Sequence, residues 1–448
     1  MEKKDRKLTR RDFLHLAALT TSGALLAACQ PTPTPTQAPA QPEATKAEAP
    51  APAGKTVRLG VWASPEEFSF FQDWAKPFQE KTGTTVNIEY VDWTTYWTKL
   101  PTQFSGGTAA DVLEMSNYTL QFGPQGVLGD IQPLIDTSGL NMKDFVAVPF
   151  EKFRYEGKLL SFPMCLTIQM LAYNKDIFDK AGEPYPDNTW DWNKMVTVAK
   201  KFTKDSAGKG PDDPAFDIAN VTQWGIEMAL DEESGWSCLV YQNEADYWNK
   251  DFTVPNFTDP KVVEAMQFLA DMINKDKVAP SPSASQKFGG SPFQAGQAAM
   301  ARQGTYMLLP FQTNIKSFKW DVTVPPKGKT RGVMADGIGW SMNAATKVMD
   351  DAFALIKYFN TEGQNYMGQR KWAVPIYIPA FPSFATPPPD NIASLKEELD
   401  YGHRWPTYKN NQQVDDFIGQ KTTELFDGKE TAQQACQEIQ DFVAPLVK

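Results

Sequence analysis

Thr56-Val57-Arg58-Leu59-Gly60-Val61-Trp62 sets apolar residues on alternate positions, and a second alternation, Val86, Ile88 and Tyr90, follows after one helical interval. That interval opens on Ser64-Pro65-Glu66-Glu67, which supplies an N-cap, a proline at the first helical position and a glutamate to close a capping box. Phe68, Phe71, Ala75 and Phe78 then recur at helical spacing, and Gly83 ends the run. Strand, helix and strand in this order form a β-α-β unit, whose parallel strands must be covered by helices. The chain is thereby committed to an α/β fold. The pattern recurs: a helix around residues 96–104 leads through Gly106-Gly107 to a short strand over 111–115. Helical stripes follow at Val262–Ile273 behind Asp259-Pro260, at Ala352–Phe359, and at Leu425-Phe426 and Ala432–Val443, split by Gly428. About 390 residues lie beyond residue 54, too many for one small core, so two lobes are expected.

Residues 1–28 read as an export signal. Thr9-Arg10-Arg11-Asp12-Phe13-Leu14 looks like a twin-arginine signal, and Leu26-Ala27-Ala28-Cys29 like the lipobox in which Cys29 is acylated. The run over residues 13–28 is interrupted by His15, Thr20, Thr21, Ser22 and Gly23, and falls short of the roughly 20 apolar residues of a spanning helix. Residues 29–54, with Pro-Thr repeats at 31–36, read as an extended, solvated spacer. The expected location is the outer face of the cytoplasmic membrane, lipid-anchored. From Cys29 onward the chain holds 38 Lys and Arg against 51 Asp and Glu, a balance that argues against nucleic acid or anionic lipid surfaces as partners. Cys165, Cys238 and Cys436 remain after Cys29; an odd number makes no disulfide scaffold, and buried thiols are expected.

Catalytic chemistry finds little support. His403 is the one histidine beyond the signal, no G-x-S-x-G or H-E-x-x-H occurs, and the Gly-Lys pairs lack the glycine of a P-loop. No catalytic residue, metal ligand or cofactor is assigned. A tethered glycoside hydrolase, which needs only two carboxylates, stays open. So does a receptor for a polyamine or peptide, drawing on Asp231-Glu232-Glu233.

Five blocks carry a family resemblance. They are Tyr155–Pro163 with Leu171–Phe178 and Thr189-Trp190-Asp191; Asp111-Val112 through Gly126-Val127-Leu128 to Pro133-Leu134; Phe293–Met300 ending at Gly304; Gly337–Ser341 before Ala345-Thr346-Lys347; and Gly428–Ala432. In this order they resemble the extracytoplasmic solute-binding proteins of carbohydrate importers, the family that includes maltose-binding protein. The tryptophan-rich stretches at 92–97 and 236–248 depart from the family pattern. The resemblance implies a two-lobed, type II periplasmic-binding-protein-like fold, each lobe an open sheet flanked by helices and joined by hinge strands. It implies lobe 1 at residues 55–164, lobe 2 at 165–340, a return to lobe 1 at 341–390, and C-terminal helices at 391–448, mainly on lobe 2. It also implies a monomer that binds a sugar or oligosaccharide without chemistry and delivers it to the transmembrane subunits of an ABC permease.

A sugar site wants aromatic platforms for the C–H faces of the rings and a few polar partners for the hydroxyls. Seven residues are assigned to it. Trp62 ends the first strand, where an open α/β sheet meets its cleft, and Asn117 and Tyr118 follow the strand ending at residue 115 in the same way. Thr167 and Tyr306 stand where the resembling family places a polar contact and a stacking ring. Trp236 follows the acidic loop, and Trp340 follows Gly337 and Gly339, which permit close backbone approach. Asn117, Tyr118, Thr167 and Trp236 fit a packing role as well, and Trp93, Trp97 and Trp190 are assigned to packing.

Overall fold

The computed structural model describes residues 55–286, 290–335, 337–408 and 410–447; the signal, Cys29 and the spacer lie outside them. The opening β-α-β unit forms as its spacing requires. Strand β1 (Thr56–Trp62) buries Val57, Leu59 and Val61 on alternate positions. Ser64 Oγ accepts from Glu67 N–H at 3.2 Å, and the Glu67 carboxylate accepts from Ser64 N–H at 2.8 Å, closing the capping box of helix α1 (Pro65–Thr82). Gly83 ends the helix in the left-handed region at φ 73°. Strand β2 (Thr85–Val91) then pairs parallel with β1 over all seven residues. Asp92 caps helix α2 (Trp93–Ser105), and β3 (Val112–Met115) joins the other side of β1, again parallel.

After a stretch of short turns and helices comes β4 (Phe162–Pro163), and the chain crosses to a second sheet. That half contains β5 (Gln169–Asn174), helix α3 (Trp192–Phe202), β6 (Val221–Met228), helix α4 (Pro260–Asn274), β7 (Ala298–Gly304) and β8 (Trp320–Thr323). The chain then recrosses to β9 (Gly339–Met342) and helix α5 (Met349–Phe359), and it ends in helices α6 (Asn411–Phe426) and α7 (Ala432–Val443). The first sheet runs β2-β1-β3-β9-β4, with β9 antiparallel to both neighbours. The second runs β8-β5-β7-β6 and closes on the short strand Lys204–Asp205. Every residue of β3, β5, β7 and β9 is buried, as expected of central strands covered on both faces.

Each sheet has its own core. Phe70, Phe71, Trp74 and Phe359 pack on the first, while Leu269, Ile273, Ile418 and Ile439 from the helices of the second half pack together with Trp236 and Tyr247. Phe384, Ile392 and Leu395 belong to a further cluster on the second sheet, so the chain has passed back before residue 390. β9 likewise joins the first sheet from Gly339, slightly ahead of the boundary at 341. Cys165, Cys238 and Cys436 are buried and none is in a disulfide.

The crossings are bonded to one another. Met164 N–H donates to the Ile338 carbonyl at 2.8 Å, and Cys165–Leu166 pairs antiparallel with Val374–Pro375. A Cβ on Gly337 would strike the Cys165 carbonyl, so only glycine lets the two segments lie this close. The fully buried Gln364 amide ties these strands together: its Nε2 donates to the Met164 carbonyl at 2.8 Å and its Oε1 accepts from Ile376 N–H at 3.0 Å. Gln364→Leu leaves those buried backbone groups unpaired and is expected to cost about 2–4 kcal/mol of stability, read from the urea midpoint at unchanged slope.

Candidate ligand-binding cleft

The carboxyl ends of β1 and β3 point the same way because the two strands are parallel, and a cavity of ≈ 410 Å³ opens there between the sheets. The first sheet contributes Trp62 from the end of β1, Ser116 and Asn117 from beyond β3, and Glu67 from the first turn of α1. Glu233 from the loop after β6 and Tyr306 from beyond β7 come from the second sheet. The crossings supply Cys165, Thr167, Gly337, Ile338, Trp372 and Ala373, and Trp405 arrives from the segment before α6.

Of the seven residues assigned from sequence, Trp62, Asn117, Thr167 and Tyr306 line this cavity. Trp62 leads an aromatic wall: Trp93 meets it edge-on at 4.9 Å and Tyr96 at 5.4 Å. Its backbone N–H donates at 3.1 Å to the fully buried Glu114 carboxyl, which burial, and then repulsion from Glu67, push well above the usual carboxylate range. Tyr306 is 37% exposed, and its ring lies over Gly304, where a Cβ would collide with it.

Three assignments need correction. Trp340 is 0% exposed, buried among Trp74, Phe359 and Phe71. Because β9 runs antiparallel to β3, its amino end faces the cleft; Gly337 and Ile338 take the wall, and Trp340 lies within the sheet. Trp236 is 1% exposed and turned edge-on to Tyr247 in the second core, while its neighbour Glu233 reaches the cavity. Tyr118 is buried against Trp97 at 4.8 Å, behind the lining residue Trp93. Conversely Trp93, assigned to packing, is 42% exposed on the cavity wall. It stands just beyond the end of β2 as Trp62 stands at the end of β1, so the strand-end argument also reaches it. Trp372 and Trp405 carry no such local signal.

Asn117 also bridges the halves. Its Nδ2 donates to Asp415 on α6 at 3.0 Å, and the Tyr408 hydroxyl donates to the same carboxylate at 2.6 Å. Among the described residues no group of three or more His, Cys, Asp or Glu side chains could hold a metal ion. His403 does not line the cavity; it stacks on Tyr241 at 3.8 Å.

Two measurements check this assignment. Trp340→Ala is expected to cost about 3–5 kcal/mol in global stability, as a large core truncation does, whereas a residue at the cleft surface would cost far less. Burial pushes the Asp415 carboxyl up to about 7 from an ordinary 3.8. The folded state then holds a proton that the unfolded state has already lost, so this group makes stability fall as pH rises from about 4 to about 7. Asp415→Asn, which keeps an acceptor for Tyr408, is expected to flatten that part of the melting-temperature profile; an unchanged profile contradicts the assignment.

Comparison with known proteins agrees with this architecture. The sequence profile of the bacterial extracellular solute-binding proteins matches residues 73–397. A putative binding protein of Brucella abortus is 25% identical over 265 residues, covering 58% of this chain and 60% of its own length. An erythritol/L-threitol-binding protein of Mycolicibacterium smegmatis is 24% identical over 318 residues, covering 62% and 65%. The chain thus spans about 60% of the length of the first of these curated relatives. An ABC substrate-binding protein from Listeria monocytogenes, solved in complex with cycloalternan, superposes with a TM-score of 0.78 at 24% identity over 88% of this chain and 98% of that one. The fold is therefore that of the type II periplasmic binding proteins, and the chain belongs to the bacterial extracellular solute-binding proteins.

Proposed function

We propose that this protein is an extracytoplasmic receptor that binds a sugar or short oligosaccharide between its lobes and delivers it, unaltered, to the permease of an ABC importer. The observation that carries the reading is the cavity, whose walls come from both sheets and from the crossings between them. A ligand seated there contacts both lobes at once, so it favours the closed state over the open one. Its volume, ≈ 410 Å³, falls in the range of small-molecule sites, and its aromatic and polar lining suits the two faces of a sugar ring. The cycloalternan bound by the Listeria protein and the polyols named for the Mycolicibacterium protein support a polyhydroxylated ligand.

The same reading gives the N-terminal segment its role. Acylation at Cys29 would hold a monomeric receptor at the outer face of the membrane, and the Pro-Thr spacer of residues 29–54 would give the lobes reach to the permease. Neither segment is among the described residues. A mass spectrum of protein from its native membrane, carrying diacylglycerol on Cys29, tests the anchor.

For the site, calorimetry and tryptophan fluorescence against a glycan panel should show saturable binding with no shorter sugars released on long incubation; release of product would make the protein a glycosidase. Trp62→Ala and Tyr306→Ala are each expected to weaken binding about tenfold, the loss of roughly 1.4 kcal/mol of stacking. Wild-type affinity in both variants would place the ligand elsewhere.

A further inference from the structure

The segment that gives Trp372 and Ala373 to the cleft gives Gln369 and Lys371 to a second cavity, of ≈ 490 Å³. Gln312 and Trp320, from the second half, form one wall of it, and Pro387-Pro388-Pro389 form another. Among the described residues Lys371 is the one charged side chain that lines it.

Lys371 is held there at two costs. It is 2% exposed, and its backbone lies in the left-handed region at φ 57°, which disfavours any residue with a Cβ. Its Nζ donates to the Ser383 carbonyl at 3.1 Å and to the Phe384 carbonyl at 2.5 Å, so one of the three N–H bonds of the ammonium is left over. Burial lowers its pKa from 10.5 to about 8, and no carboxylate draws it back up. The charged groups on the bordering segments have other contacts. Lys316 donates to the Gln312 carbonyl at 2.8 Å, and Arg370 and Lys396 each lie 6.0 Å from a ring centre, those of Tyr366 and Phe381. Asp321 accepts from Asn391 N–H at 2.9 Å, and Asp390 pairs with Lys175 at 3.2 Å. None of these five lines the cavity.

A buried ammonium without a counter-charge is costly, and an anion from solution would supply one. The rest of the lining discriminates among anions. The Gln312 amide and the Ser383 and Thr386 hydroxyls already donate to the carbonyls of Pro388, Ala380 and Pro382. A phosphate, which needs many donors, would find few beyond Lys371. A carboxylate on an apolar body finds an ammonium for its charge and an indole and three prolines for its body.

We propose that this cavity is a second binding site, for a small organic acid whose carboxylate pairs with Lys371 and whose apolar body lies against Trp320 and the prolines at 387–389. The site is separate from the sugar cleft and does not depend on the reading given to it.

Fluorine NMR of para-fluorobenzoate with the intact mature protein tests this, with para-fluorobenzyl alcohol as its neutral match. Near neutral pH the acid should bind at least about tenfold tighter than the alcohol, the advantage of a charge-assisted hydrogen bond. Raising the pH from about 7 to about 9.5 should weaken the acid about tenfold or more, since the ammonium is lost while the benzoate charge does not change. Lys371→Met should weaken it about tenfold, and Trp320→Leu should weaken acid and alcohol alike. Lys371→Arg should still bind at the higher pH, because a guanidinium stays charged there. If Lys371→Met does not fold, the pH dependence of the wild type decides. Equal binding of the alcohol, a pH-independent affinity in the wild type, or wild-type affinity in Lys371→Met overturns the site. Displacement of the benzoate by an equal concentration of inorganic phosphate overturns the organic-acid class.

Discussion

The cleft depends on one backbone hydrogen bond, from Met164 N–H to the Ile338 carbonyl, where the chain passing outward to the second sheet lies against the chain coming back. Both segments continue directly into the cavity wall, one as Cys165 and Thr167, the other as Gly337 and Ile338. The approach is close enough that position 337 must lack a Cβ, and Gln364 satisfies the carbonyl of Met164 from the opposite side. An error in this contact would therefore move half the lining at once. The aromatic wall is more local. Trp62 is placed by β1 and by the Glu114 carboxyl beneath its N–H, independently of the crossings.

The contrast between Trp62 and Trp340 shows how far local sequence reaches. Both sit at a strand with glycine nearby, and both were assigned to the cleft. The parallel neighbours of β1 could be inferred from the β-α-β spacing, so the carboxyl-end rule applied to Trp62. The direction of β9 could not, because its partners β3 and β4 lie more than 170 residues earlier and no helical crossover announces them. Antiparallel pairing turns the strand end for end and puts Trp340 in the core. Trp236 failed for a related reason: which face of a short helical turn points inward is decided by Tyr247 and Phe257, which come after it. Trp405 lies in an irregular segment with no periodicity to read, and reaches the cavity through long-range packing alone. Helices with full stripes and caps, such as α4 and α7, were legible because their signals are local.

Several buried charges near the cleft share one use. Lys152 and Arg302 donate to backbone carbonyls, and the fully buried Glu398 accepts the Gln169 N–H at 2.6 Å, at the start of β5. Each of these groups pays a desolvation cost that only a fixed partner offsets. Burial drives the Glu398 carboxyl well above its usual range even with that bond. Through these bonds they hold backbone at the turns and strand ends around the cavity.

The two halves also meet outside the crossings, at the Asn117–Asp415 contact. The two kinds of connection differ in strength. The crossings are covalent and their hydrogen bonds are buried, so they would persist through a movement of the lobes. The Asn117 to Asp415 contact is a hydrogen bond between side chains, and with the carboxyl protonated below about pH 7 such a bond contributes about 0.5–1.5 kcal/mol. That is enough to shift an equilibrium between two lobe arrangements by up to about tenfold. The contact can bias an empty cleft toward closure without locking it. Under the receptor reading proposed above, a ligand stacked on Trp62 from one side and Tyr306 from the other would add contacts that only a closed state offers, and the closed population would follow occupancy of the cleft.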